Sequence, residues 1–276
     1  MHANLSRRSL LALAALAACM FAIGPLLWGL STALKPLAQI FAYPPKLFPW
    51  PVSLENFERV WTESYFPTYF LNSILVTAIS VVVSLALSVH AAYGLARFHF
   101  RGKTALLMGL LATSMIPGVA ILVPLYNLSV GTGLYNSLTG LVIVYSAWNV
   151  PLLVWLLKGF FESIPIELEE AALVDGCGRM RAFYLVVMPM VAPGLLAGAI
   201  MTMMFVWNDF LIGFTLTISE SQRLLPVGLF AYISNVGIDW GQLTAAAIFA
   251  LLPVVFAFLV MQKWLVQGLT AGAVKG

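Results

Sequence analysis

Residues 167–189 read ELEEAALVDGCGRMRAFYLVVMP. They form a charged polar interval between apolar runs that could cross a bilayer. Glu167, Glu169, Glu170, Asp175, Arg179 and Arg181 all fall here, in a chain that is only 9% charged, where a soluble domain carries roughly 25%. The 276 residues are 61% hydrophobic, with a mean hydropathy of +0.96. A soluble core of that size needs a charged surface that this composition cannot supply. The chain therefore reads as an all-α polytopic membrane protein, and its length measures spans rather than soluble domains. The net charge of +3 requires no nucleic-acid partner, because Lys and Arg gather on the inner face of membrane proteins. Cys19 and Cys177 are too few for a disulfide framework.

Outward from this interval, the hydropathy pattern predicts six spans in one transmembrane domain (1–276), at about 9–34, 69–96, 104–127, 138–157, 187–218 and 243–265, each long enough for a bilayer. The first follows Arg7 and Arg8. Leu16-Ala17-Ala18-Cys19 has the look of a lipoprotein cleavage box, but the chain stays apolar after it, well beyond a signal core, so an uncleaved span is expected. Pro117 and Pro124 lie inside the third span, and Asn149-Val150-Pro151 is expected to break the fourth. Between the first two spans, Leu54, Phe57 and Trp61 recur at helical spacing, which fits either an interfacial helix lying on the bilayer or a contact for a soluble partner.

Orientation follows from charge. With the N-terminus inside, ten of the Lys and Arg residues lie on inner segments and four on outer ones, so both termini and the interval at 162–189 are expected in the cytoplasm.

No catalytic chemistry is legible. Gly102-Lys103-Thr104 resembles the end of a phosphate loop, but position 97, where that loop needs glycine, is arginine. His2, His90 and His99 have no metal-ligand spacing, and neither cysteine has a histidine nearby to activate it. Ser73 and Ser114 sit in apolar runs as ordinary helix serines. Neither a nucleotide site nor a metal site is read in the chain.

The polar interval has its own physics. Pro165 is tolerated in a first helical turn, Glu167, Glu169 and Glu170 favour a helix N-terminus, and Gly176 and Gly178 stop the helix. A second short helix is expected from 179 to about 187, turning at Pro189 into the fifth span. Small Ala171 and Ala172 between charges suit a helix that seats in a partner's groove. An amphipathic connector on the inner face of the bilayer fits the same spacing.

The pattern Glu170-Ala171-Ala172, three residues, Gly176, nine residues, then Val186-Val187-Met188-Pro189 resembles the E-A-A-x3-G-x9-I-x-L-P cytoplasmic loop of permease subunits in binding-protein-dependent ABC importers. It departs at Val186 for Ile and Met188 for Leu, both conservative. The segment GLTAGAVKG at 268–276 resembles the ending of carbohydrate permeases of the maltose type. The resemblance implies a coupling helix between spans 4 and 5 that sits in an ATPase cleft, with Glu169, Glu170, Ala171, Ala172, Asp175 and Gly176 as coupling residues. It implies that Thr270, Gly272 and Lys275 reach toward the ATPase dimer, and that the loop at about 219–239 meets the binding protein. The implied assembly is this chain, a related second permease, two ATPase subunits that hold ATP and Mg²⁺, and an extracytoplasmic binding protein in a bacterial-type inner membrane. No cofactor is expected on this chain.

For the solute path, the aromatic and amide residues Asn72, Tyr145, Asn149, Trp207 and Asn208 are candidates, with Trp148 beside them. Asp209 is the acidic residue expected inside a span, which makes it a functional candidate; capping a neighbouring helix or pairing at a subunit interface is the alternative. Gly194-x3-Gly198 predicts close helix packing, with a partner or within the chain. A carbohydrate importer permease is the reading. A polyol or other small polar solute, an ion-coupled secondary transporter and a non-transporting scaffold are the alternatives.

Overall fold

A computed structural model describes the backbone of residues 2–234 and 237–273, and the side chains of 10–233 and 237–260. In chain order the helices are α1 (His2–Ala33), α2 (Leu37–Ile40), α3 (Glu55–Thr62), α4 (Phe66–Arg97), α5 (Lys103–Ser114), α6 (Gly118–Gly131) and α7 (Leu138–Glu162). Then come α8 (Glu167–Val174), α9 (Arg179–Ala182), a π turn at Phe183–Val187, α10 (Met188–Asn208), α11 (Leu211–Leu216) and α12 (Leu225–Leu229). A two-stranded antiparallel hairpin, β1 (Ile233–Ser234) and β2 (Gly237–Ile238), leads into α13 (Trp240–Ala273). Among the described residues five helices are long and apolar enough to cross a membrane, and a sixth crossing results if α5 and α6 are counted together.

Contacts divide the chain into two compact units. One joins the chain up to Pro67 with Gly228–Pro253; the other joins Thr68–Val227 with the chain from Val254 onward. In the first unit, the apolar faces of α1 stay open from Leu10 through Leu27, as a helix in lipid requires. Its last turn is tied down: Lys35 lies 4.7 Å from the Trp28 ring centre, and the Asn56 amide donates to the carbonyls of Ala33 and Lys35 at 2.9 Å each. The predicted amphipathic helix exists as α3. Its two aromatics, Phe57 and Trp61, pack on Phe249 of α13 at 5.5 and 5.4 Å between ring centres, while Trp61 also stays half exposed and Leu54 is exposed. The Tyr232 hydroxyl meets Ser64 Oγ at 3.0 Å, and burial pushes its pKa up.

The second unit departs from the expected spans in three places. The run at 104–127 is two helices bent by 96°. Pro117 takes φ −58° and ψ 126°, has no N–H to continue the ladder and holds the preceding residues out of helical conformation. The expected break at Asn149-Val150-Pro151 does not occur, and α7 runs through Pro151. Two side chains bond carbonyls near the proline, Asn149 Nδ2 to Tyr145 O at 2.8 Å and Ser88 Oγ to Val150 O at 3.4 Å, while the carbonyl that Pro151 itself leaves without a ladder N–H is that of Ala147. The run at 187–218 starts earlier and ends earlier than its apolar residues suggest. The chain is helical from Arg179 to Asn208. It does not turn at Pro189, because the π turn carries it past the proline, with Met188 N bonded back to Phe183 O. It stops at Asp209, whose ψ of 124° is extended.

Close packing around α7 holds this unit together. A Cβ on Gly194 would meet the Phe160 ring at 2.6 Å, and one on Gly198 would meet Leu153 Cδ2 at 2.8 Å. The small-residue pair thus serves packing within the chain. On α4, buried Ser73, Thr77, Ser80, Ser84 and Ser88 recur at intervals of three and four residues, one face of the helix, and keep the side chains short where neighbouring helices press on it.

Gly198→Leu should therefore destabilise the folded protein by about 1–3 kcal/mol through overpacking. Gly24→Leu should be neutral, since Gly24 has nothing within 4 Å of its Cβ position. Thermal unfolding of the detergent-purified variants, followed by loss of monodisperse protein, reads the difference.

Candidate functional site

The polar interval folds as a helix that stands on one buried edge. The three glutamates of its first turn face a helix start that has no side-chain cap, so their charge meets the free N–H groups there. Glu169 and Ala172, one turn apart, point inward. Glu167, Leu168, Glu170, Ala171, Leu173, Val174 and Asp175 are exposed, with Val174 at 87%. The helix closes in a Schellman motif: Cys177 N bonds to Ala172 O at 3.0 Å and Gly176 N to Leu173 O at 3.1 Å. That turn needs Gly176 at φ +85°, and no atom lies within 4 Å of its Cβ position. Conformation, rather than space, demands the glycine.

The inward edge is fixed by charge. The Glu169 carboxylate pairs with Arg97 at the end of α4 and accepts from the Tyr93 hydroxyl at 2.9 Å. Arg97 Nη2 also donates to Ile164 O at 3.1 Å, so one guanidinium grips both α8 and the chain that enters it. Each side chain of the pair is only 10% exposed. Beneath them Tyr93, Phe161 and Phe183 form an aromatic bed, with Tyr93 and Phe183 4.5 Å apart. A small cavity of about 160 Å³ opens beside the pair, lined by Phe98, Glu170, Leu173 and Arg179 among others. Arg179 lies 5.2 Å from the Phe98 ring centre.

Of the residues singled out from sequence, Glu170, Ala171 and Asp175 are thus presented outward, while Glu169 and Ala172 face the protein. Arg97 and Tyr93 were not read as part of the site. Arg97 entered only as an inner positive charge, and nothing local to 93–97 indicates a partner 72 residues later. The side chains at Thr270 and Gly272, and residue Lys275, lie outside the described residues.

The candidates for a solute path separate into wall and cavity. Asn72 donates to Ser221 O and Arg223 O at 3.0 Å each. Tyr145 is fully buried and its hydroxyl donates to Asp209 Oδ1 at 2.9 Å. The same oxygen accepts from Ile212 N at 2.9 Å and Gly213 N at 3.3 Å, so Asp209 caps α11, one of the alternatives its position allowed. Trp207 is buried against Phe70, and exposed Asn208 bonds back to Met204 O. Asn149, with Trp148 beside it, borders a large cavity. This cavity of about 820 Å³ lies among the α5–α6 bend, α7 and α10, and Asn149, Trp148, Phe205 and Thr202 line it with a majority of aliphatic residues. Trp148 and Phe205 stack at 6.4 Å with 9° between their planes.

Residues 84–271 match the family described as the binding-protein-dependent transport system inner membrane component. The chain belongs to this family. It is 37% identical to the probable ABC transporter permease protein YurM of Bacillus subtilis over 91% of this chain and 83% of that one. It is 30% identical to the trehalose/maltose transport system permease protein MalG of Thermococcus litoralis across the whole of both. Its fold is similar to that of a chain in a crystal structure of a bacterial ABC transporter involved in import of the acidic polysaccharide alginate, with a TM-score of 0.82 at 22% identity over 95% of this chain and 98% of that one. The protein is a multi-pass membrane permease, and the matched span contains both Arg97 and the whole of α8.

In the permease, Arg97→Met alone should leave the Glu169 carboxylate buried without its cation and cost about 3–5 kcal/mol. The pair Arg97→Met with Glu169→Leu should recover most of that loss. A double-mutant cycle on thermal unfolding measures the coupling; independent, additive losses would count against the pair as the anchor of α8.

Proposed function

We propose that the permease is the membrane subunit of an ABC importer that takes up a carbohydrate handed over by an extracytoplasmic binding protein. The observation that carries the reading is the E-A-A helix itself. It is bolted to the membrane helices along its Glu169 edge and presents Glu170, Ala171, Val174 and Asp175 to a partner. A helix exposed on one side and rigidly held on the other transmits force, and a connector resting on lipid has no use for the buried ion pair. The occupant of the exposed face is one of two ATPase subunits, where ATP and Mg²⁺ are held; this chain binds neither.

In this reading α8, both termini and the Arg97 end of α4 are cytoplasmic, and the loop at 219–225 faces outward. ATP drawing the ATPases together moves α8, the spans rock from inward-facing to outward-facing, and hydrolysis returns them. Each ligand shifts that equilibrium by its differential affinity for the two states. A related second permease completes the path. The cavity with Trp148 stacked on Phe205 and Asn149 at its edge supplies an aromatic face and an amide, the groups a sugar ring meets best. Thr270, Gly272 and Lys275 are proposed to contact the ATPase dimer. The relatives' sugar substrates support the carbohydrate class.

Gly176→Val tests the coupling assignment, because a β-branched residue at φ +85° is strained and unwinds the end of α8. The variant should insert in the membrane normally yet retain about a tenth or less of ATP-driven uptake in proteoliposomes, measured with the sugar its own binding protein retains, and should recover less ATPase on tagged pull-down. Full uptake together with full ATPase recovery would show that α8 does not couple.

A further inference from the structure

The helix α4 is attached at both ends by polar contacts that leave it no slack. At one end are Arg97 and Tyr93 on Glu169, with Arg97 also on Ile164 O. At the other, about 40 Å away by helical rise, the Tyr69 hydroxyl bonds the Glu220 carboxylate, which Arg223 also pairs. One turn on, Asn72 donates to the carbonyls of Ser221 and Arg223 at 3.0 Å, and Ser73 Oγ accepts from Leu225 N at 2.7 Å. Four residues of the segment 220–225, Glu220, Ser221, Arg223 and Leu225, are thus stitched to the first turns of α4.

Between these attachments α4 is built to be stiff. Every other long apolar helix carries an internal proline: Pro25 in α1, Pro151 in α7, Pro193 in α10 and Pro253 in α13. The pair α5 and α6 is bent outright. Past its first turn α4 has none, so its hydrogen-bond ladder runs uninterrupted from Tyr69 to Arg97, and prolines are where helices bend. Its buried hydroxyl face is pressed against the rest of the unit, with Ser88 Oγ on the carbonyl of Val150.

We infer that α4 is the rod that links the ATPase face to the outer face, with Glu169, Arg97 and Tyr93 as positioning residues at one end and Tyr69, Asn72 and Glu220 at the other. The inference rests on the importer reading above, which assigns the two faces. Binding of the loaded receptor near 219–225 pulls on α4, and α8 moves with it because the buried ion pair cannot slide. The same path runs in reverse when ATP binds.

The experiment uses the whole complex, with second permease, ATPases and binding protein, in nanodiscs. The quantity read is the ratio of ATPase rates with and without sugar-loaded binding protein. Glu169→Gln and Glu220→Gln, which lie at opposite ends, should each lower that ratio by about fivefold or more, within the range that coupling between sites spans. A purely structural role would lower complex yield and both rates together, leaving the ratio unmoved. If Glu169→Gln does not assemble, Arg97→Lys and Tyr93→Phe, which preserve bulk, take its place under the same criterion. A ratio lowered by less than about fivefold in either end's variants overturns the rod. A wild-type complex that shows no stimulation at all overturns the importer reading, and the rod with it.

Discussion

The buried ion pair between Arg97 and Glu169 is the constraint on which the placement of α8 depends. Taking two charges out of water is costly, and the pair is stable only because the remaining hydrogen-bonding capacity is used: Tyr93 on the carboxylate, Ile164 O on the guanidinium. Once those four groups are in place α8 has one orientation. The Glu169–Ala172 edge is down, so Glu170, Ala171, Val174 and Asp175 are up, and the positive-φ turn at Gly176 returns the chain toward α9. The exposed face is therefore a consequence of the buried one.

The same unit shows how a largely apolar chain obtains specificity. In lipid, hydrocarbon has little preference for protein over solvent, so helices are selected by how closely their backbones fit and by scarce polar contacts. Gly194 and Gly198 let α10 come down on Phe160 and Leu153. Asp209 ends that helix and starts α11, while its Tyr145 partner ties both to α7. The prolines have different outcomes: Pro117 bends α5 from α6, whereas Pro151 lies inside continuous helix and Pro189 follows a π turn. A proline's presence alone does not say which of these will happen.

Much was legible from the residues. Composition and apolar run length determined a helical membrane protein, because unbroken apolar runs of about 20 residues suit a spanning helix and not the short, alternating strands of a barrel, and the E-A-A spacing located the charged helix, because helix propensity, the acidic first turn and Gly176 are all local. The position of α3 followed from its helical spacing for the same reason. The substrate candidates were the least legible: Asn72, Tyr145 and Asp209 were chosen for residue type, and type does not distinguish an amide or carboxylate that meets solute from one that holds a loop or caps a helix.

What the sequence by itself determined, then, is much of what is set within a few turns of chain: that the long apolar runs are helical, where the charged helix starts and stops, and that its glycine must be glycine. The tertiary structure decided which edge of that helix is hidden. Glu169 and Glu170 are adjacent acidic residues of equal propensity, and only the arrival of Arg97, 72 residues earlier in the chain, makes one a buried tether and leaves the other free to meet a partner. Long-range pairing of this kind carries no local signature, since it depends on where two helix ends meet and on nothing either helix contains alone.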